Sequence, residues 1–375
     1  MKIVIVTLAM TTAGRGTFYN AQDIGLGRAL AKAGHTIDIY DFVKQDEQDV
    51  FLSERLCIHY QKSRSIGNHS LHSYDFITGD VDTVLCFSDN QIGFGRLKKR
   101  CDRVGVPCYP YVGVVASHSG NPIKRAVMDM VASNKHYYRS MHVLAKTPQI
   151  KRELEKAGAK DVTLMPVGLD ESRLYREYEK TDKGELREQL GLPKQGRIIL
   201  YLARLTQEKR PLEMLSIFAD IRKTDHAAHL AVIGKGELQE QFLKKIEECN
   251  LRESVTYVES VPNAEVWQYF CASDVMVNLN AGEIFGMAIL EAMYYGCPVV
   301  ARSAPGPEFI IRDGTDGFIA EGDKEVTEKI TELFENAKQR KSIADRAKEK
   351  VKTCFLWESI IKTDDIFKKG WDRGK

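Results

Sequence analysis

Short apolar segments alternate with amphipathic segments along the first part of the chain. Residues 3–8 form a continuous apolar run, residues 21–33 have helical spacing and stop at Gly34, and residues 36–40 alternate apolar with polar positions. Four more short apolar runs follow, with helical stretches between several of them: residues 83–87, 108–115, 141–145 and 162–165. Strands that alternate with helices predict βαβ units and a parallel sheet.

The same alternation begins again after a polar, charged segment at residues 171–195. Apolar runs predict strands at residues 197–203, 229–233, 255–258, 275–279 and 298–302, with helices such as 211–222 and 238–249 between them. We therefore expect two doubly wound domains that are joined near residues 168–195. Ligands bind beyond the carboxyl ends of the strands in such sheets, so two facing domains would form a binding cleft between them.

Composition agrees with two folded domains. The 375 residues are 43% hydrophobic, which supports two cores and excludes disorder, collagen and coiled coil. Lys and Arg number 54 against 52 Asp and Glu, so the net charge of +2 does not indicate a nucleic-acid partner. Residues 1–168 carry 22 basic against 16 acidic side chains, and the remainder 32 against 36. The basic excess suits an anionic or membrane-borne partner, and it also suits ordinary solvated surface.

The eight cysteines are scattered and no pair has CxxC spacing, which favours reduced thiols over disulfides or a zinc site. The N-terminal apolar run has no clear cleavage site after it and is typical of a first buried strand. No apolar stretch approaches the length of a membrane span, about 18 residues. These patterns predict a cytoplasmic protein, with peripheral attachment to the inner membrane face as the alternative.

The most informative segment is residues 280–300. A strand is predicted to end near Leu279, a loop carries Glu283, and a helix is predicted to begin around Gly286. The free N–H groups of such a helix start attract anions. Glu291 lies at the edge of the apolar stripe of this helix, where a buried carboxylate needs hydrogen-bond donors such as sugar or ribose hydroxyls. An ordinary amphipathic helix with one Glu at its rim would give the same pattern.

A second segment places Arg204 and Lys209 on the loop that follows the strand at residues 197–203. Two cations at a strand end can bind an anionic group, a role that a metal ion has in some proteins. No acidic pair of the DxD type stands at a strand end, so we expect no metal requirement.

The segment at residues 280–300 resembles retaining glycosyltransferases of family 4, which have the GT-B fold of two facing Rossmann-like domains. Their motif is a Glu, seven residues and a second Glu, within E-x-F-G, L-E-A-M and G-x-P-V-V. The matching residues here are Glu283, Phe285, Gly286, Leu290, Glu291, Ala292, Met293, Gly296, Pro298, Val299 and Val300. Residues 304–308 and 313–318 resemble the family's Gly-rich donor-side loop and the turn after it, and residues 200–211 resemble its G-R-L-x-x-x-K-G element.

Weaker similarities extend over the rest of the chain. Gly16 lies in the loop after the first strand, where the family has adjacent glycines, although Arg15 separates them here. His118 follows a buried strand, where many members have a His near the reacting sugar. Residues 166–170 resemble the family's hinge, and residues 354–358 resemble its C-terminal F-x-W segment, before an amphipathic helix that is expected to reach Trp371.

The resemblance implies an acceptor-binding domain at residues 1–168, a donor-binding domain at 169–352 and a returning helix at 353–375. It implies transfer of a sugar from a nucleoside-diphosphate sugar, with a UDP-sugar as the first expectation and no other cofactor. Arg204 and Lys209 would stabilise the diphosphate, Glu283 would orient the donor sugar, Glu291 would accept from the ribose, and His118 would contact the sugar. Donor-binding positions would be Gly16, Phe285, Gly286, Met287, Ala288 and Glu291. The acceptor is not defined.

Other functions remain open at the level of sequence. A GT-B sugar-nucleotide epimerase or a sugar phosphorylase would share the fold and the nucleotide or phosphate site. A non-catalytic sugar-nucleotide sensor would share the motifs. A dinucleotide-dependent oxidoreductase would need G-x-G-x-x-G after the first strand, and the chain lacks it there.

Overall fold

The structure is a computed structural model that describes residues 1–10, 21–45, 47–87, 90–115, 132–363 and 367. It divides into two compact units. Unit 1 consists of the described residues of Met1–Asp170 together with the helix that begins at Trp357. Unit 2 is Glu171–Leu356.

Unit 1 is built on a sheet in which the strand order is β10-β9-β8-β7-β1-β2-β4-β3, with the small hairpin β5–β6 joined to the end of β1. Pairing is parallel from β10 to β4, and β3 is an antiparallel edge strand. The strands are β1 (Lys2–Met10), β2 (Thr36–Val43), β3 (Gln48–Ser53), β4 (Leu56–Lys62), β5 (Arg64–Ile66), β6 (His69–Leu71), β7 (Thr83–Phe87), β8 (Cys108–Val112), β9 (His142–Ala145) and β10 (Asp161–Leu164).

The helices that the structure describes in unit 1 include one from the far end of the sequence. They are α1 (Gln22–Lys32), α2 (Phe94–Val104), α3 (Lys135–Tyr138), α4 (Pro148–Lys156) and α13 (Trp357–Thr363). The indole of Trp357 is fully buried in this unit. A Cβ at Gly168 would lie 2.6 Å from its ring, and one at Gly25 would lie 2.8 Å away, so both glycines are needed for this close packing.

Unit 2 is built on a parallel sheet with the order β13-β12-β11-β14-β15-β16. Its strands are β11 (Arg197–Leu202), β12 (Ala228–Ile233), β13 (Val255–Val258), β14 (Val275–Asn278), β15 (Val299–Arg302) and β16 (Phe318–Ala320). Its helices are α5 (Lys183–Gln189), α6 (Pro211–Arg222), α7 (Gln239–Glu248), α8 (Val266–Ala272), α9 (Met287–Tyr294), α10 (Pro305–Ile310), α11 (Asp323–Glu335) and α12 (Ala337–Cys354). Single 3-10 turns occur at Glu171–Arg173, Arg176–Lys180, Gln207–Lys209 and Arg252–Ser254.

The doubly wound α/β fold expected from the sequence is confirmed in each unit. Every strand expected from an apolar run is present, with ends that differ by at most a few residues. The sequence pattern did not predict β3 to β6. Strands β3, β5 and β6 are largely exposed or only three residues long, and β4, although mostly buried, carries His59 and Gln61 among its apolar residues. In the part of the chain that the structure describes, no helix is both long and apolar enough to span a membrane.

Candidate active site

The order of strands in unit 2 changes direction between β11 and β14, which are parallel neighbours. Their connections therefore lead away to opposite sides, which leaves a crevice at the carboxyl ends of the two strands. Ligands of doubly wound sheets bind at such a point. The loop after β11 carries Arg204 and Lys209, and the loop after β14 carries Asn280 and Glu283. The topology thus brings the two sequence motifs to the same edge of one sheet.

The loop after β11 is fixed by its own strand. Tyr201 is buried, and its hydroxyl donates a hydrogen bond to the main-chain carbonyl of Lys209. Arg210 then adopts a left-handed backbone conformation with φ of 57°, and Pro211 begins α6 with its fixed φ. The main chain at Lys209 is therefore held in place independently of the contacts that the Lys209 side chain makes.

Two glycines after β12 support the same loop, and the sequence analysis missed them. A Cβ at Gly234 would lie 1.8 Å from the carbonyl oxygen of Ala203, and one at Gly236 would lie 2.4 Å from that of Leu205. The N–H of Leu205 also donates to the carbonyl of Lys235 at 3.0 Å. The Gly-Lys-Gly sequence directly after the buried strand β12 could have indicated these glycines, because glycine permits two main chains to approach closely.

Lys209 and Glu283 form an ion pair across the crevice. The Nζ of Lys209 lies 2.9 Å from Oε2 of Glu283, and the amide nitrogen of Asn280 donates to the same oxygen at 3.1 Å. Both charged side chains are about one-fifth exposed, at 19% each. Asn280 is also buried, and its side-chain oxygen Oδ1 accepts a hydrogen bond from the N–H of Gly282 at 3.0 Å. Asn280 therefore positions Glu283, a role that the sequence analysis did not assign.

Arg204 has a different environment from Lys209. Its guanidinium pairs with Glu208 at 2.7 Å, and its side chain is 70% exposed. An exposed pair of this kind contributes little to stability, typically about 0–1 kcal/mol. Arg204 is therefore free to exchange Glu208 for another anion at a small energetic cost.

Helix α9 begins at this crevice. Gly286 precedes it with φ of 100°, a conformation that favours glycine, and no side chain caps the helix start. The N–H groups of Met287 and Ala288 belong to the first turn, where amides have no acceptor within the helix. The positive end of the helix dipole therefore faces the same loop as Glu283.

The loop before α9 is tightly packed against α10. The N–H of Gly306 donates to the carbonyl of Glu283 at 2.9 Å, and a Cβ at Gly306 would lie 2.3 Å from the carbonyl oxygen of Phe285. Residues 304–308, expected to be a Gly-rich loop, are helical instead: Ala304 precedes α10, and residues 305–308 form most of that helix. This helix holds the main chain at Glu283 and Phe285.

The expected position of Glu291 at the rim of an apolar stripe is wrong. Residues 289–295 are all buried, so α9 is enclosed on every side and has no rim at this point. Glu291 is 1% exposed, and its Oε2 has no hydrogen-bond partner in the described structure. Burial raises the pKa of this carboxyl well above its ordinary value because the charged form is desolvated. A hydroxyl donor from a ligand would satisfy the unpaired oxygen.

Two sequence-predicted site residues, His118 and Gly16, lie outside the described residues. The remaining ones, Arg204, Lys209, Glu283, Phe285, Gly286, Met287, Ala288 and Glu291, all lie in unit 2. No group of three or more His, Cys, Asp or Glu in the described part of the chain could hold a metal ion. The absence of a metal requirement remains a prediction.

Comparison with known proteins finds a family model that matches part of unit 2. Residues 182–350 match the model of the family described as glycosyl transferases group 1. The match spans both loops at the switch point and the whole of α9. The chain has the GT-B fold, and this segment, somewhat less than half of it, is similar to glycosyl transferases group 1.

Two curated relatives match over about half of this chain. N-acetyl-alpha-D-glucosaminyl L-malate synthase of Bacillus anthracis is 27% identical over 50% of the chain and 49% of that protein. Alpha-monoglucosyldiacylglycerol synthase of Streptococcus pneumoniae is 26% identical over 46% of the chain and 39% of that protein. The chain therefore spans half or less of the length of these two relatives.

Solved structures match over nearly the full chain. Sucrose-phosphate synthase of Thermosynechococcus elongatus has a TM-score of 0.76 at 18% identity and covers 96% of each chain. HepE of Anabaena in complex with UDP-glucose has a TM-score of 0.70 at 16% identity, over 96% of this chain and 97% of that one. At these identities the likeness establishes the GT-B fold.

Proposed function

We propose that this protein is a glycosyltransferase, which moves a sugar from a nucleoside-diphosphate sugar to an acceptor hydroxyl with retention of configuration and without a metal ion. The observation that carries the proposal is the Lys209–Glu283 pair at the topological switch point of unit 2, beside the open start of α9. This arrangement combines a cation and free amides for a diphosphate with a carboxylate for sugar hydroxyls.

Lys209 and Arg204 would stabilise the diphosphate as it leaves. Lys209 is held rigidly by its loop and by Glu283, whereas Arg204 is exposed and can turn towards the anion. Together with the amides of Met287 and Ala288, they would stabilise the charge that develops on the leaving phosphate. The leaving phosphate would help to deprotonate the acceptor as it attacks from the same face.

The two carboxylates would have different roles. Glu283 would accept hydrogen bonds from the hydroxyls of the donor sugar, because its loop holds it at the crevice in a partly exposed position. Glu291 would accept from the ribose hydroxyls, because its buried Oε2 has no partner among the described residues. These roles follow the family pattern, and the geometry of unit 2 supports them.

We propose a UDP-sugar as the donor, because HepE, which shares the fold, has been solved with UDP-glucose. The enzyme would act in the cytoplasm, where such donors are made, on an acceptor in glycan, glycolipid or natural-product synthesis. The curated relatives have different products, and they support only the general class of acceptor hydroxyl.

Nucleotide binding is the first test. The unfolding midpoint is measured with UDP, GDP, ADP and dTDP, and we expect UDP to raise it most. The corresponding sugar donors are then supplied with and without acceptors, and product stereochemistry is determined by NMR. No response to any nucleotide would disprove the proposal. Donor conversion without an acceptor would indicate an epimerase, and dependence on inorganic phosphate a phosphorylase.

Two substitutions test the cations. Arg204→Ala and Lys209→Ala should each remove a charged contact worth about 1.5–3 kcal/mol in the transition state, or roughly a 10- to 100-fold loss in kcat/KM. The matched controls are Arg252→Ala and Lys244→Ala, whose exposed side chains pair with Glu247 and Glu248 elsewhere in unit 2. Wild-type turnover by both Arg204→Ala and Lys209→Ala would show that the assigned roles are wrong.

A further inference from the structure

A strongly cationic pocket lies in unit 1, far in sequence from the donor motifs. It is formed between helix α2 and the hairpin β5–β6, and its volume is about 530 Å³. This volume is within the usual range for small-molecule sites, about 300–1,000 Å³. The charged or titratable side chains that line it are Arg64, His72, Arg96, Lys99, Arg100 and Arg103.

Four of these cations belong to one face of α2. Arg96, Lys99, Arg100 and Arg103 have the spacing i, i+3, i+4 and i+7, which places them side by side along the helix. Like charges at this spacing repel one another and destabilise a helix. The helix C-terminus accounts for Arg103 alone, since a cation is favourable in the last turn. The other three need a different explanation.

Four of the five Lys and Arg side chains of the pocket lack a counterion among the described residues. No carboxylate of the described residues pairs with Arg64, Arg96, Lys99 or Arg103, and Arg100 approaches Asp75 only at 3.8 Å. The adjacent residue Lys98 shows the contrast, because it is paired with Asp102 at 2.6 Å. The cation outside the pocket is therefore neutralised within the helix, whereas Arg96, Lys99 and Arg103 inside it have no carboxylate partner among the described residues.

The walls of the pocket are built closely together. Gly93 precedes α2, and a Cβ there would lie 2.4 Å from the hydroxyl of Tyr74 and 2.9 Å from the carbonyl of Ser70 in β6. Tyr74 is fully buried with φ of 60°, and its N–H donates to Nδ1 of His72 at 3.1 Å. This contact leaves Nε2 of His72 as the ring atom that carries the proton.

One guanidinium is also oriented by the main chain. Nε and Nη2 of Arg100 donate to the carbonyls of Ile77 and Asp75, at 2.9 and 3.2 Å. These carbonyls hold Arg100 at the pocket, and only the exposed carboxylate of Asp75, at 3.8 Å, offsets its charge. The remaining guanidinium and ammonium groups of Arg64, Arg96 and Lys99 are exposed and adaptable.

We propose that this pocket binds a ligand that carries one or more phosphate groups. Guanidinium groups match phosphate oxygens with paired hydrogen bonds, and several uncompensated cations around one cavity require an anion of high charge. The phosphate belongs either to a soluble phosphomonoester or to the headgroup of an anionic lipid. The site lies within unit 1 and does not depend on the donor site proposed for unit 2.

Two binding assays distinguish the sources of phosphate. Glycerol 3-phosphate is titrated by calorimetry, and vesicles of phosphatidylglycerol in phosphatidylcholine are used for co-sedimentation, both without nucleotide. We expect the full chain to bind at least one probe and to lose binding as salt rises. Binding of glycerol 3-phosphate identifies a soluble ligand, and binding of vesicles alone identifies a headgroup.

Substitutions locate the binding. The variant Arg96→Gln/Lys99→Gln/Arg103→Gln should weaken binding by about ten-fold or more, since charge-assisted hydrogen bonds are lost. The control Lys98→Gln/Lys151→Gln/Lys156→Gln removes the same charge from unit 1 outside the pocket and should retain binding. Lys209→Ala in unit 2 should retain it too. Failure of wild type to bind either probe, or equal losses in the two triple variants, would overturn the proposal.

The pocket variant should remain folded. Its three side chains are exposed, and removing their mutual repulsion should leave the unfolding midpoint unchanged or raise it. Because no step of this test requires sugar transfer, its failure would leave the proposed transferase activity untouched. Failure of the transferase assay would likewise leave the phosphate site standing.

Discussion

Lys209 and Glu283 are 74 positions apart in the sequence, yet the Nζ of one lies 2.9 Å from the Oε2 of the other. The proximity arises because β11 and β14 are neighbours although their order in the chain is not consecutive. The pair gives Lys209 a counterion in the protein without ligand. A diphosphate would therefore compete with Glu283 for the same ammonium group.

The stability of this pair can be measured without a ligand. Lys209→Met should lower the free energy of unfolding by about 1–3 kcal/mol, because it leaves a largely buried carboxylate without its cation. The double variant Lys209→Met/Glu283→Gln should recover part of that loss in urea denaturation. Arg204→Met, which breaks the exposed pair with Glu208, is the control and should change stability by less than about 0.5 kcal/mol. If the changes in unfolding free energy from Lys209→Met and Glu283→Gln simply added in the double variant, the two side chains would not be coupled.

The burial of Glu291 predicts that the stability of the protein falls as the pH rises. Burial raises its pKa above the ordinary value of 4.5, so the folded protein holds this proton more tightly than the unfolded chain does. The stabilisation from this proton is fully present at pH values below the ordinary pKa. It is lost as the pH rises through the pKa that Glu291 has in the folded protein.

Glu291→Gln should remove this dependence. In denaturation without nucleotide, the variant should therefore gain stability relative to wild type as the pH rises from about 5 to 8. Its affinity for UDP should fall, because an amide is a poorer acceptor for ribose hydroxyls than a carboxylate. Parallel stability curves for the two proteins would show that Glu291 does not titrate as a buried carboxyl.

Gly306 should be intolerant of any side chain. A Cβ there would lie 2.3 Å from the main-chain oxygen of Phe285, which cannot move without displacing the loop that carries Glu283. Gly306→Ala should cost about 1–3 kcal/mol of stability and reduce turnover. Gly282→Ala is the matched control in the same region, since its Cβ would come no closer than 3.5 Å to its nearest neighbour, Asn280, and should be nearly neutral. A stable, active Gly306→Ala protein would contradict the packing.

The burial of His229 predicts that the protein loses stability in acid. It is buried in β12 beside Thr256, at 2.8 Å, and burial lowers its pKa from 6.5 to about 4. Between pH 6.5 and about 4, His229 is therefore protonated in the unfolded chain but not in the folded protein. The free energy of unfolding falls as the pH drops through this range. His229→Gln should flatten this part of the curve in chemical denaturation, whereas His226→Gln, at an exposed position, should leave it unchanged. An unaltered curve for His229→Gln would refute the prediction.

The sequence predicted the parallel sheets because buried strands are continuous apolar runs with recognisable helices between them. It also placed Arg204, Lys209 and Glu283 at strand ends. It could not predict that Lys209 binds Glu283, because that contact depends on which strands are neighbours. The burial of Glu291 was missed for a related reason: neighbouring elements enclose α9, and periodicity within the helix does not reveal them.

The position of Trp357 has a consequence for synthesis. Unit 1 packs Gly25 and Gly168 against this indole, although all of Glu171–Leu356 separates it from the rest of the unit. On the ribosome, the first sheet can form early, but its surface at these glycines stays uncovered until translation has passed through the entire second unit. Packing of α13 is therefore a late step in folding, and a nascent chain that stalls before Trp357 would expose an apolar surface to chaperones or proteases.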